Sequence, residues 1–181
     1  MDLVDILKEK RFLGQEFLTW LWWKSEERGG SLMLADFGEI TLSFEKHMLL
    51  ESGDGDAIEK LVCSGLQSEL QEARTGLHVG KKLEQSRIVL AHDSFEYHFT
   101  LVGSTLDFKN VKLPETDKTD NQGGDSAEET EGKILERAYL FEQLVKMVTA
   151  CFSMFLHLRI TPEWGDEVVK IRRWIAKNAE V

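Results

Sequence analysis

Between Lys133 and Arg159 the chain carries two apolar stripes side by side. Ile134, Ala138, Phe141, Val145, Val148, Phe152 and Phe155 follow one another at alternating spacings of four and three, and Leu140, Leu144, Met147, Cys151, Met154 and Leu158 repeat that alternation on an adjoining face. Such spacing predicts one long helix, roughly 40 Å from end to end at about 1.5 Å per residue. A helix apolar on two faces must be covered on more than one side, by layers of its own fold or by a partner subunit as well.

A second helix poses the same problem. In residues 11–27, Leu13, Phe17, Trp20 and Leu21 share a face, and Gly29-Gly30 ends the segment. At about 100° per residue Trp22 projects almost opposite that stripe and Trp23 lies on its flank, so one surface cannot bury all three tryptophans. Either the helix is sandwiched between two layers, or Trp22 and Trp23 form an interface with a subunit or partner. A third helix is expected to start at Thr161-Pro162-Glu163-Trp164, with Thr as N-cap, Pro at the first helical position and acids following. Its apolar stripe is Trp164, Val168, Ile171 and Ile175. Lys170, Arg172, Arg173 and Lys177 lie on the other faces, where cations near a helix C-terminus complement the macrodipole and could also hold phosphate.

Between these helices the pattern is that of strands. Leu32 to Leu34, Glu39 to Phe44, His47 to Leu50 and Ile58 to Cys63 are short runs with strand character, and Ser52-Gly53-Asp54-Gly55-Asp56 is a turn. That turn lacks the spacing of a calcium-binding loop. A short helix over Gln67–Leu77 follows, ending near Gly76 or Gly80. Lys82 to His92, Phe95 to Val102 and Thr105 to Leu113 then alternate apolar and polar residues about the turns Asp93-Ser94 and Gly103-Ser104, an antiparallel meander with one apolar face. The expected fold class is α+β: an antiparallel sheet, with a meander at 82–113 and strands at 31–63, packed with an N-terminal aromatic helix and two C-terminal helices.

The chain has 181 residues and a formal net charge of -10. Residues 115–132 supply -6 of this, with acids at 115, 117, 120, 125, 128, 129 and 131 against Lys118 alone. Having no large apolar side chain, that segment reads as a disordered acidic linker within a single domain spanning 1–181. The rest, at -4, is only mildly acidic, so the overall charge argues against nucleic acid without excluding a local basic surface.

Known catalytic patterns are missing from the sequence. Gly29-Gly30 and Gly123-Gly124 do not lead into a phosphate-binding Gly-Lys-Ser/Thr, and no nucleophile elbow is present. His47, His78, His92, His98 and His157 include no metal-ligand pair; His92, His98 and Asp93 could meet across a turn, though alternating strand positions explain them better. Cys63 and Cys151 sit in apolar runs and read as packing residues without a disulfide. No enzyme, metal or cofactor is expected. The first residues do not form a signal peptide, and no run of about 18 uncharged apolar residues occurs, so the expectation is a cytoplasmic protein with no membrane partner.

The phrase Phe12-Leu13-Gly14-Gln15-Glu16-Phe17-Leu18-Thr19-Trp20-Leu21-Trp22, the stretch Gly80-Lys81-Lys82-Leu83-Glu84-Gln85-Ser86-Arg87-Ile88-Val89-Leu90, and Tyr97-His98-Phe99-Thr100-Leu101 with Leu106-Asp107-Phe108-Lys109 resemble the C-terminal half of the bacterial recombination-associated RdgC family. The resemblance covers residues 12–114, with weaker support over 133–177. It implies a non-enzymatic, sequence-independent DNA-binding protein of recombination and replication, which forms a ring-shaped dimer on double-stranded DNA and limits access of the recombinase RecA. Family chains are longer, so the portion that helps close the ring is expected to be absent. Lys81 matches the family's Gly-Lys. Lys82 and Arg87 join it as candidate phosphate contacts on charge and proximity, and Arg172 and Arg173 are further candidates as cations of the last helix. A homo-oligomer, nucleoid-associated if it binds DNA, follows from the same resemblance. The rival reading is an acidic protein–protein interaction module that touches no DNA and uses the Trp22/Trp23 surface or the 133–159 helix.

Overall fold

A computed structural model describes residues 11–52, 59–64, 68–115 and 127–177. In chain order these form helix α1 (Arg11–Glu26), a 3-10 turn (Glu27–Gly30), strands β1 (Ser31–Leu34), β2 (Gly38–Ser52) and β3 (Glu59–Ser64), helix α2 (Ser68–His78), strands β4 (Lys82–His92), β5 (Phe95–Val102) and β6 (Phe108–Lys112), and helices α3 (Ala127–Arg159) and α4 (Glu163–Ala176). The expected α+β class is the one observed.

The sheet is antiparallel in every pairing. Its order is β1-β2-β4-β5-β6, and β3 shares with β1 the outer edge of β2. β2 is long enough for both: residues 38–41 pair with β1 and residues 47–52 pair with β3. The two short strands read from Glu39–Phe44 and His47–Leu50 are therefore one strand. A register shift between Phe44 and Met48 carries it through the polar Glu45-Lys46-His47. Ile40, Leu42, Met48 and Leu50 of β2 are buried with Ile88 and Leu90 of β4 and Tyr97, Phe99 and Leu101 of β5, forming one apolar sheet face.

α1 lies on that face and carries the second half of the core on its other side. Phe17 meets Phe152 edge-on at 5.0 Å and Phe155 at 5.6 Å, both on α3, while the Trp20 indole N–H donates to Glu167 of α4 at 3.3 Å. Two glycines let α1 and its exit come this close. A Cβ on Gly14 would lie 1.8 Å from the Gly103 carbonyl oxygen, and one on Gly30, at φ +81°, would lie 2.1 Å from that of Leu42. The buried Glu84 carboxylate accepts from the Gln15 amide at 2.7 Å and from the Ser104 hydroxyl, tying α1, β4 and the β5–β6 turn together.

Two expectations need correction. Trp22 and Trp23 offer no surface to a partner, being 1% and 7% exposed. Trp22 is covered from within the chain: Trp174 of α4 meets it edge-on at 4.9 Å, Phe44 of β2 stacks at 6.4 Å, and the Arg74 guanidinium of α2 lies 5.6 Å from its ring. Lys24 sits 4.2 Å from the centre of the Trp23 ring. The sandwiched helix is what the fold contains. The acidic segment ends earlier than expected too, because α3 begins at Ala127, not Lys133. Ala and Glu are strong helix formers, so the helix extends backwards without needing burial. Residues 116–126 and the turn at 53–56 lie outside the described residues. By length and composition, Glu131–Arg159 could cross a membrane, but the buried side chains of Leu140, Leu144, Met147, Cys151 and Phe155 place the second half of this helix in the core.

Candidate nucleic-acid interface

Lys81 and Lys82 owe their position to the way α2 stops. Gly80 adopts φ +95°; its N–H bonds to the Leu77 carbonyl at 3.1 Å, and the Lys81 N–H bonds to that of Gly76 at 2.9 Å. These are the paired bonds of a Schellman motif, in which a left-handed glycine ends the helix and turns the chain sharply into the next element, here β4. The Gly-Lys pair therefore has a structural reason of its own.

The Lys81 ammonium bonds to Glu59 and to the Ser52 hydroxyl, each at 3.1 Å, and its side chain is 17% exposed. Much of its charge is answered inside the chain. Lys82 is exposed beside it. Arg172, exposed on α4, faces the same cleft, which Gln15, Thr19, Leu77, Trp164, Val168 and Ile171 help to line and whose volume is about 210 Å³. Glu16 also lines it and is held by Arg159 at 2.9 Å. Among the described residues neither Lys82 nor Arg172 enters an ion pair. Residues distant in sequence, on β4 and on α4, thus converge at one cationic rim. Arg173 is exposed on the same helix but does not line the cleft.

Arg87 stands apart. It lies on the sheet face away from the helices and pairs with Glu45 at 3.3 Å. Glu45 also receives His98 Nδ1 at 2.9 Å, and the other ring nitrogen of His98 is 2.7 Å from Glu96. His92 instead bonds to the Phe37 carbonyl at 2.9 Å, so the suggested His92–His98 constellation is not assembled. Among the described residues no cluster of His, Cys, Asp or Glu could hold a metal. The Cys151 thiol is buried and its pKa is pushed up to about 12 by desolvation, which makes it a packing group.

α3 is covered along only part of its length. The stripe Ile134, Ala138, Phe141, Val145, Val148, Phe152, Phe155 is buried from Val148 onward and opens towards its start: Val145 is half-buried, Phe141 meets Phe108 of β6 edge-on at 6.0 Å but is 40% exposed, and Ile134 is 62% exposed, with Leu135 and Tyr139 as open as Ile134. The first turns of α3 project from the body with the apolar pattern intact. The stripe then meets a groove of about 560 Å³ between α3 and the β1–β2 turn, lined by Phe37, Val145, Ala150 and Met154.

Comparison of the chain with protein-family models, with curated proteins and with solved structures returns no match.

Proposed function

We propose that this chain is a non-enzymatic, sequence-independent DNA-associated protein of the RdgC-like kind, acting in recombination or replication. The observation that supports this most is the convergence of Lys82 and Arg172 on one cleft, with Lys81 behind them, in a chain whose acidity is concentrated in residues 115–132. Cations without acidic partners can take phosphates and release counterions, and contacts of that sort position a protein on DNA without reading its sequence. Lys81 then acts mainly through structure, while Arg87, on the far face of the sheet and paired with Glu45, is not part of the same contact. Titration of labelled duplex at about 50 mM salt with micromolar protein tests the reading, since phosphate-driven affinity is greatest at low salt. Saturable binding supports it, and its absence under those conditions rejects it.

A second reading is favoured by the projecting half of α3. A stripe repeating at alternate spacings of four and three is the seam of a paired helix, and what best covers it is the same stripe of a second copy. Antiparallel pairing of the two projecting halves leaves the bodies at opposite ends, where they do not collide. Light scattering on the wild type and on Ile134→Glu/Ala138→Glu, both exposed positions of the stripe, tests this. The pairing predicts a dimer that the double substitution converts to a monomer, and a monomeric wild type rejects it.

A further inference from the structure

The cleft that gathers Lys81, Lys82 and Arg172 has more in it than a phosphate needs. Behind the exposed cations, its wall is made of Leu77, Val168, Ile171 and Ile175 together with the indole of Trp164, over the buried Trp20. Trp164 is half-buried: it packs edge-on against Phe155 at 5.5 Å and turns part of its surface to the cleft. A phosphate gains nothing from such a wall, whereas a planar heterocycle attached to a phosphate fits both parts.

We infer that the cleft takes one unpaired nucleotide, with its base against Trp164 and the apolar wall and its flanking phosphates on Lys82 and Arg172. This inference rests on the DNA-binding reading and makes it more specific. It predicts a preference for single-stranded DNA and strand ends over closed duplex. In a duplex the ring faces are stacked on neighbouring pairs and cannot reach an indole; in a single strand every base has a free face. The cleft volume of about 210 Å³ lies below the roughly 300 Å³ at which drug-sized sites begin, room for one heterocycle and not for a base pair.

Its polar groups point to tolerance of base identity. Three of the uncharged donors that line the cleft are engaged within the chain: the Gln15 amide bonds to Glu84, the Thr19 hydroxyl to the Gln15 carbonyl at 2.9 Å, and the Trp20 indole N–H to Glu167. Glu16 is held by Arg159. With Lys82 and Arg172 given to the phosphates, stacking rather than hydrogen-bond readout supplies most of the interaction with the base.

The test uses the full chain and three labelled probes at low salt: a thymidine strand and a strand of abasic residues with the same phosphates, each of about 20 nucleotides, and a covalently closed duplex circle without ends or loops. The thymidine strand is expected to bind about tenfold more tightly than the abasic one, and to quench tryptophan fluorescence where the abasic strand does not. Trp164→Leu, which keeps apolar bulk against Phe155, should bring the thymidine strand down to the abasic level. Should that variant fail to fold, the comparison of quenching on the wild-type chain decides. Equal affinity and equal quenching for thymidine and abasic strands overturn the nucleotide cleft while leaving phosphate binding in place. Failure of every probe to bind overturns both.

Discussion

Gly14→Ala and Gly165→Ala are the same substitution in two helices, and the structure gives them opposite signs. Gly165 lies in α4 with nothing near the position of an added Cβ, so alanine there gains helix propensity of up to about 1 kcal/mol. At Gly14 the added Cβ would sit 1.8 Å from the Gly103 carbonyl oxygen and 2.9 Å from its carbon. Both partners are backbone, so no rotamer change relieves the clash, and α1 would have to lift by about 1.5 Å to restore ordinary contact. That movement is opposed on both sides, because Phe17, Leu18, Trp20, Leu21 and Trp22 are packed between the sheet and the α3–α4 layer. Overpacking of this kind costs roughly 1–3 kcal/mol and sometimes more, and a backbone clash belongs at the upper end. Allowing for the propensity gain, a net loss of about 2 kcal/mol lowers the melting temperature by roughly 4–8 °C in a domain of this size. Thermal melts followed by circular dichroism should show Gly165→Ala at or above the wild type and Gly14→Ala well below it. A neutral or stabilising Gly14→Ala would mean that α1 does not approach the β5–β6 turn as described, and the layering would have to be redrawn.

Three further outcomes follow from the packing and the charges. Glu167→Ala removes the acceptor of the Trp20 indole N–H and the partner of Lys24 at 2.9 Å. Because Lys24 keeps Glu27 at 2.7 Å, the loss should be about 2–3 kcal/mol by denaturant unfolding, short of the cost of a wholly orphaned buried charge. Cys63 and Cys151 are both buried, so a thiol reagent should label neither in the native state and both after unfolding. The folded Cys151 pKa is raised to about 12 from 9.0; the unfolded chain therefore loses its proton first, and this contribution to stability is whole below pH 9 and disappears as the pH rises towards 12. Equilibrium unfolding between those pH values should show the decline, and Cys151→Ala should flatten it.

How far the sequence carried the reading differs by element, for physical reasons. The meander was legible because its alternation is local, and the stop of α2 was legible because Gly80 is the residue a left-handed helix end requires. Trp22 was half legible. Periodicity demanded a second cover for α1, but that cover is Trp174 and Arg74, far away in sequence, which no local pattern displays. β2 was divided in two because Glu45, Lys46 and His47 look like a break, whereas a register shift carries the strand across them. At the candidate site, the resemblance singled out Lys81, charge and proximity added Lys82 and Arg87, and charge on the last helix added Arg172 and Arg173. Strand alternation and pairing separate Arg87 from Lys81 and Lys82, and the tertiary fold brings Arg172, but not Arg173, to their cleft. The ion pairs that occupy Lys81 and Arg87, and the aromatic wall behind the rim, are properties of the folded chain.

The central claim is that Lys82 and Arg172 contact phosphates, and the salt dependence of DNA binding tests it most directly. Each phosphate neutralised contributes about 0.7 to the slope of log affinity against log salt on single strands and about 0.9 on duplex. Lys82→Ala/Arg172→Ala should therefore flatten the single-strand slope by about 1.4, while Arg87→Ala leaves it unchanged. An unaltered slope in the double variant, or a flattening produced by Arg87→Ala instead, would contradict the account.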